Sequence, residues 1–245
     1  MIKLVENIEE AALVYKHLTC DKAPVLAAGM FTEGFGVNQD FLQLYSAFND
    51  NGKLCAAFVK CNDRVFCLIN ELYNEDEIKL FLDGFADFNI FISSEYSYIM
   101  TRKDYQVCAL MSKHGNISLN TSDKLSEIDS NTFTNIIMQG KTREQLIRFL
   151  LNNSHLQRHG YIKNYALKAN DEVVSIGSLY RNKTRSYLCN VFTPEQSRHK
   201  GYGSKLINSI TVYADECHLI CTENVSELYK KCGFTIYAKW IEFLY

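Results

Sequence analysis

Apolar residues recur at helical spacing over residues 6–18, where Ile8, Ala11, Ala12, Tyr15 and Leu18 fall on one face. The same test over residues 38–48 picks out Phe41, Leu42, Leu44, Tyr45 and Phe48 and predicts a second helix. Asn51-Gly52 then marks a turn. Two β-rich runs follow, 54–60 and 65–70, joined through Asn62-Asp63, and together they read as a hairpin. Residues 74–88 predict a helix capped by Asn74, with Ile78, Phe81, Leu82 and Phe85 on its apolar face. Short strands are expected at 89–93 and 106–111. Between residues 114 and 131 the periodicity stops in a run rich in Ser, Asn and Asp, the mark of a long connection or a domain boundary. Beyond it, Leu146, Ile147, Leu150 and Leu151 define a helix over 142–155. Strands are expected at 161–168, 173–180 and 185–192, with turns at Asn170-Asp171 and 181–184. A strand at 218–223, a helix at 225–231 and a strand at 236–244 complete the pattern.

The chain has 245 residues, one large domain or two small ones. The break in periodicity favours two, 1–122 and 123–245. Hydrophobic residues make up 47%, which excludes intrinsic disorder. A net charge of −2 gives no electrostatic footprint for wrapping a nucleic acid. No apolar stretch approaches the ~20 residues of a membrane span. The first residues, MIKLVENIEEAALVYKHL, have no basic flank leading into a long apolar run, so a cytoplasmic protein is expected. The nine cysteines agree with that: their number is odd, they form no C-x-x-C pair, and several sit in apolar runs as small hydrophobes. Cys217, His218 and Cys221 come nearest to a metal cluster, but the set is too small and too loosely spaced, so no metal is expected.

One segment carries chemistry. After the strand ending at Phe192 come Thr193-Pro194-Glu195-Gln196-Ser197-Arg198-His199-Lys200-Gly201-Tyr202-Gly203-Ser204, and then a helix. Leu206, Ile207, Ile210, Tyr213 and Ala214 supply its apolar face. Glycines at a helix start let backbone N–H groups approach a ligand closely, and those groups lack partners within the helix. They carry the positive end of the helix dipole, to which Arg198 and Lys200 add formal charge, so the loop suits a phosphate. A solvated basic loop is the plain alternative.

Val191-Phe192-Thr193-Pro194 followed by Arg198-His199-Lys200-Gly201-Tyr202-Gly203 resembles the acyl-CoA loop of the GNAT superfamily of N-acetyltransferases, [R/Q]-x-x-G-x-[G/A] after a strand. Leu228-Tyr229-Lys230-Lys231-Cys232-Gly233-Phe234 is similar to the family's L-Y-x-x-x-G-F. The resemblance covers roughly residues 142–245. It implies an α/β (α+β) fold, a mixed, mostly antiparallel central sheet flanked by helices. Some members carry two such modules in tandem, the first degenerate, with a His-Gly pair before the second module's hairpin. His159-Gly160 is similar to that pair. Residues 1–122 have no basic glycine loop, since Gly34-Phe35-Gly36 lacks a preceding Arg. A tandem protein with a degenerate first module is therefore expected.

The resemblance also implies roles. Acetyl-CoA would be the co-substrate and the acceptor a small-molecule or peptide amine, with no nucleic-acid or membrane partner. Arg198, His199, Lys200, Gly201, Tyr202, Gly203 and Ser204 would hold the pyrophosphate. Val191, Phe192 and Thr193 would bond the pantetheine arm through their backbone. Many members contact the cofactor with an Asn seven residues before the Tyr; here Asn224 stands five before Tyr229 and is the candidate. Direct attack of the amine on the thioester needs an oxyanion donor, implied near Asn190 or Val191, and a general acid for the leaving thiolate, implied at Tyr229. For the base, Glu223 and His159 are candidates beside water. The competing reading is a non-catalytic acyl-CoA-binding or interaction protein that retains the fold.

Overall fold

The computed structural model describes residues 1–115, 124–182 and 185–245. Its elements run β1 (Ile2–Leu4), α1 (Ile8–His17), α2 (Lys22–Phe35), β2 (Leu42–Phe48), β3 (Leu54–Cys61), β4 (Arg64–Ile69), α3 (Glu75–Asp83), β5 (Asn89–Ser93) and β6 (Tyr105–His114). They continue with β7 (Lys124–Ile128), α4 (Ser130–Ile137), α5 (Arg143–Arg158), β8 (Ile162–Ala169), β9 (Glu172–Asn182), β10 (Arg185–Phe192), α6 (Tyr202–Thr211), β11 (Glu216–Thr222), α7 (Ser226–Lys231) and β12 (Thr235–Phe243).

The contacts divide into two compact units. The first comprises Met1–Leu110, Ile220–Glu223 and Ile236–Tyr245; the second comprises Met111–Leu219 and Asn224–Thr235. The expected boundary at Ser122 lies outside the described residues. The expected assignment of everything after it to one domain is corrected by β12, which pairs antiparallel with β5 from Trp240↔Ser93 to Phe243↔Ile90. A ladder needs only open N–H and C=O groups at matching spacing, so a strand far along the chain can complete an earlier sheet.

In the first unit the strand order is β1-β2-β3-β4-β5-β12-β6. The hairpin read from the sequence is β3–β4, antiparallel from Ala56↔Ile69 to Cys61↔Arg64, and Asn62 takes the left-handed backbone of its turn at φ 54. Residues 38–48 are the main departure. They form the strand β2 instead of a helix, with Leu42 and Leu44 buried and Gln43 and Tyr45 half-buried. Phe41, Leu42, Leu44, Tyr45 and Phe48 satisfy the helical template, while alternation from Leu42 satisfies the strand template; pairing with β1 and β3 decides. Helix α2 escapes the pattern for the opposite reason. Ala23, Pro24, Leu26, Ala27, Ala28, Gly29 and Met30 are all buried, so it has no polar face, and Pro24 sits in the first turn where no N–H is needed.

The core of this unit joins Phe58, Val65 and Cys67 of the hairpin to Ile78 and Leu82 of α3, Ile90 and Ile92 of β5, and Phe243 of β12. The last strand is tied further by Trp240, whose indole N–H donates to Asp21 at 2.6 Å. Glu242, almost fully buried, accepts from Asn89 Nδ2 at 3.3 Å and from Gln106, and lies 3.7 Å from Arg64 Nε.

In the second unit the order is β11-β10-β9-β8-β7. All these pairs are antiparallel except β10–β11, which is parallel. The β8–β9 turn is the expected one, Asn170 and Asp171 both taking positive φ, 51° and 63°. The turn expected at 181–184 includes residues outside the described set. The polar run 114–131 hides two elements. Strand β7 pairs with β8, and α4 opens on Asp129, whose carboxylate accepts Thr132 N–H at 2.9 Å. Helix α5 starts in a capping box: Gln145 N–H donates to Thr142 Oγ1 at 3.3 Å while Thr142 N–H donates to Gln145 Oε1 at 3.1 Å. Each unit is thus a mixed, mostly antiparallel sheet with flanking helices, the fold class read from the sequence.

Candidate functional site

The site begins where β10 loses its regular pairing. Its parallel ladder with β11 runs from Arg185↔Glu216 to Tyr187↔His218, and β10 continues five residues past the last pair, to Phe192. Its ladder with β9 shifts between Cys189 and Phe192, and Asn190 takes a left-handed backbone at φ 54. Asn tolerates that conformation better than other L-residues with a Cβ. The bulge re-aims the backbone groups around Asn190 and Val191.

Thr193 and Pro194 then lead into a single 3-10 turn, Glu195–Ser197. The loop is held by its own groups. Arg198 Nε donates to the Thr193 carbonyl at 3.1 Å and Lys200 Nζ to the Gln196 carbonyl at 3.0 Å. Thr193 Oγ1 is 2.9 Å from Ser175 Oγ, whose hydroxyl also donates to the Phe192 carbonyl at 3.1 Å. His199 and Gly201 both have positive φ, 60° and 79°. Gly201 is the N-cap of α6 and supplies no side-chain cap, and the first intrahelical bond is Lys205 N–H to the Gly201 carbonyl at 3.0 Å. The amides of Tyr202, Gly203 and Ser204 therefore lie at the open, positive end of the helix, beside two cations. A Cβ on Gly203 would stand 3.3 Å from Thr193 Oγ1 and 3.8 Å from Leu228 Cδ2, so the helix start, the end of β10 and α7 close on one another there. This cradle of free amides, small residues and cations suits a pyrophosphate.

Helix α7 carries Tyr229. It packs on α6, with Cys232 Sγ 3.8 Å from the Ser204 carbonyl. It ends in a Schellman motif: Phe234 N–H donates to the Tyr229 carbonyl at 3.1 Å and Gly233 N–H to the Lys230 carbonyl at 2.9 Å, with Gly233 at φ 85. Phe234 is buried and meets the Tyr229 ring edge-on, centroids 6.0 Å apart. The L-Y-x-x-x-G-F pattern is thus a helix stop that fixes the Tyr229 side chain from behind.

The remaining expected residues lie differently. Asn224 is exposed in the turn Glu223–Val225 before α7. Glu223 falls in the first unit, where its carboxylate pairs with Lys239 at 2.7 Å. His159 caps the C-terminal end of α5, its ring 4.4 Å from that of His155. The register sets it apart from the loop. Ile162 is level with Tyr180 and Tyr187, whereas Phe192 is level with Ile176 and Ala166, about 13 Å further along the strands. On β11, Cys217 and His218 alternate and face opposite sides of the sheet, and among the described residues no group of three His, Cys, Asp or Glu side chains is placed to hold a metal.

Three supporting residues carry no motif. Gly177 on β9 lets α6 approach, since a Cβ there would be 3.3 Å from both Ile210 and Leu206. Ser175 holds the end of β10 through the bonds above. Lys113 on β6 is 5% exposed and donates to Thr211 Oγ1 at 3.1 Å and Asn208 Oδ1 at 3.4 Å in the last turn of α6. Its ammonium also lies 5.8 Å from the Phe234 ring centre. A cation there complements the helix dipole, while burial pulls the Lys113 pKa down. Only the fold brings Lys113 to α6, so nothing in the sequence marks it.

The architecture is shared with solved proteins along nearly its whole length. A GNAT-family acetyltransferase from Colwellia psychrerythraea matches with a TM-score of 0.62 at 14% identity, covering 99% of this chain and 98% of that one. A tandem GNAT protein from the clavulanic acid biosynthesis pathway gives 0.61 at 10% identity, with 99% and 98% covered. A GCN5-related N-acetyltransferase from Sphaerobacter thermophilus gives 0.65 at 9% identity, with 99% and 94% covered. The protein therefore has the tandem GNAT fold. Residues 146–236 match the model of the acetyltransferase (GNAT) domain family, a stretch that includes the loop and Tyr229. No curated protein matches the sequence significantly.

Proposed function

We propose that the protein is an acetyl-CoA-dependent N-acetyltransferase that transfers an acetyl group by direct attack to a primary amine of a small-molecule or peptide acceptor. The observation that carries this reading is the uncapped start of α6 at Gly201, flanked by Arg198 and Lys200, inside the segment that matches the GNAT domain. In this reading the amides of Gly201, Tyr202, Gly203 and Ser204, with Arg198, His199 and Lys200, bind the pyrophosphate. The backbone of Val191, Phe192 and Thr193 bonds the pantetheine arm as an added strand would, on the stretch of β10 beyond its described pairing with β11. Acetyl-CoA supplies an activated thioester. A backbone N–H at the Asn190–Val191 bulge stabilises the oxyanion, and Tyr229 protonates the leaving thiolate. Asn224 adds a contact to the donor. Glu223 and His159 remain the candidate bases beside water.

The first module has lost its donor site in this reading, and the protein works in the cytoplasm, where its nine free thiols stay reduced. Among the described residues no helix is long and apolar enough to cross a membrane.

The experiment is a thermal melt with acetyl-CoA followed by an amine panel scored for released thiol. Acetyl-CoA should raise Tm, as a ligand of the native state must. No shift at saturating acetyl-CoA overturns the loop assignment. A shift without turnover on any amine makes the protein an acyl-CoA binder.

A further inference from the structure

The first unit contains a pocket of about 720 Å³ between α1 and the β2–β3 turn, with Leu13, Val14, Phe48 and Leu54 as apolar walls. That volume and lining are those of a small-molecule site. Asn70 braces it. Its Oδ1 accepts Thr19 N–H at 2.7 Å, and its Nδ2 donates to the His17 carbonyl at 2.9 Å and the Leu54 carbonyl at 3.3 Å. The Asn70 amide is therefore already satisfied within the wall. Leu13, 58% exposed, leaves an apolar surface at the mouth.

The rim shows what the pocket recognises. The Lys3 ammonium lies 5.4 Å from the centre of the Phe48 ring and 3.3 Å from the Glu10 carboxylate, both of them lining groups. An aromatic face beside a carboxylate is the pair that binds an organic ammonium. Here the chain's own lysine, 58% exposed, fills that position from outside the pocket. The lysine of the lining, Lys53, is paired with Glu71, which offsets its charge.

We propose that this pocket binds an amphipathic primary amine, whose ammonium replaces Lys3 on Phe48 and Glu10 while its apolar body lies against Leu13, Val14 and Leu54. The site is independent of acyl transfer, because binding is read without acetyl-CoA.

The test uses the full chain, with hexylammonium as probe and hexanoate as its charge-reversed control, each titrated by ligand-detected NMR. Hexylammonium should bind saturably, at least about tenfold more tightly than hexanoate. Glu10→Gln and Phe48→Leu should each weaken it about 2–5-fold. Lys3→Ser should tighten it by a similar factor, because it removes the internal competitor. Lys3 is an exposed side chain on the short strand β1, so that variant keeps the test open if Phe48→Leu fails to fold. Equal binding of the two probes, no saturation, insensitivity to both Glu10→Gln and Phe48→Leu, or unchanged or weaker binding in Lys3→Ser would each overturn the proposal.

Discussion

Each unit contains a strand, a helix and a second strand parallel to the first: β4–α3–β5 in one and β10–α6–β11 in the other. The two helices begin in opposite ways. Helix α3 is closed by Asn74, whose side chain accepts Glu77 N–H at 3.3 Å, and its first turn is Glu75, Asp76 and Glu77. Its own carboxylates already occupy the positive end of the dipole and would repel a phosphate. Helix α6 starts at a glycine with no side-chain cap, has no acid in its first turn, and follows Arg198 and Lys200. The topology is the same, so topology does not make an anion site. What differs is whether the helix start is satisfied from within. Gly34 and Gly36 confirm the point from another side. They lie at the end of α2, where Gly36 N–H closes onto the Thr32 carbonyl, so the glycines that resemble a loop in the sequence stop a helix instead of opening one.

The sharpest way to break this contrast is to give α6 the charge of α3. Arg198→Glu combined with Lys200→Glu should weaken acetyl-CoA binding by roughly 10²–10³-fold and abolish its thermal shift. Replacing Glu75 and Asp76 by Gln should leave that binding unchanged. Calorimetric titration of both variants reads the difference, and equal losses would sink the division of labour between the helices.

Next comes the residue behind the loop. Tyr229→Phe should lower kcat by about 10²-fold while the affinity for acetyl-CoA holds, measured by steady-state kinetics beside a binding assay. A loss confined to binding would make Tyr229 a packing residue.

High pH should separate the buried thiols from the half-exposed ones. Burial pushes the Cys20, Cys61 and Cys108 thiols up to about 12, and Cys67 higher still, from an ordinary value near 9. The fold favours the neutral thiol, so this stability is complete below pH ~9 and is lost as pH rises toward 12. In the second unit Cys189 and Cys217 behave alike, also at about 12. Lys113 there acts with the opposite sign, since a lowered lysine pKa makes burial less costly as pH rises. Alkylation mapped by mass spectrometry between pH 8 and 10.5 should label the half-exposed Cys189 before the buried Cys67, whose thiol is held higher still. The reverse order would refute the assignment.

The smallest effect concerns the cap of α3. Asn74 holds φ 56, so Asn74→Ala loses a cap and strains a left-handed residue, a cost of about 1–2 kcal/mol in chemical denaturation. Acetyl-CoA binding should not change.

Much of the second unit was legible because its information is local. A glycine loop before an amphipathic helix, a Tyr three residues ahead of its C-cap, and a turn at Asn170-Asp171 are each written within a few residues. The first unit was less legible where two local templates fitted equally well, as at Leu42–Phe48, or where burial on every side erased the period, as in α2. In the polar run before α4, Asp129 is a helix cap; its neighbours disguise it as loop.

The sequence alone marked the start of α3 at Asn74, the stop of α7 at Gly233, the turns at Asn62-Asp63 and Asn170-Asp171, and the glycine loop before α6, because capping and turn geometry act over one or two turns of backbone. The tertiary structure decided the rest. It assigned β12 to the first unit, set His159 at a distance along the sheet from the loop, paired Glu223 with Lys239, and buried Lys113 against the end of α6. Those outcomes depend on ladder register and helix-on-sheet packing, where backbone groups pair without regard to side-chain identity and the partners lie up to more than a hundred residues apart.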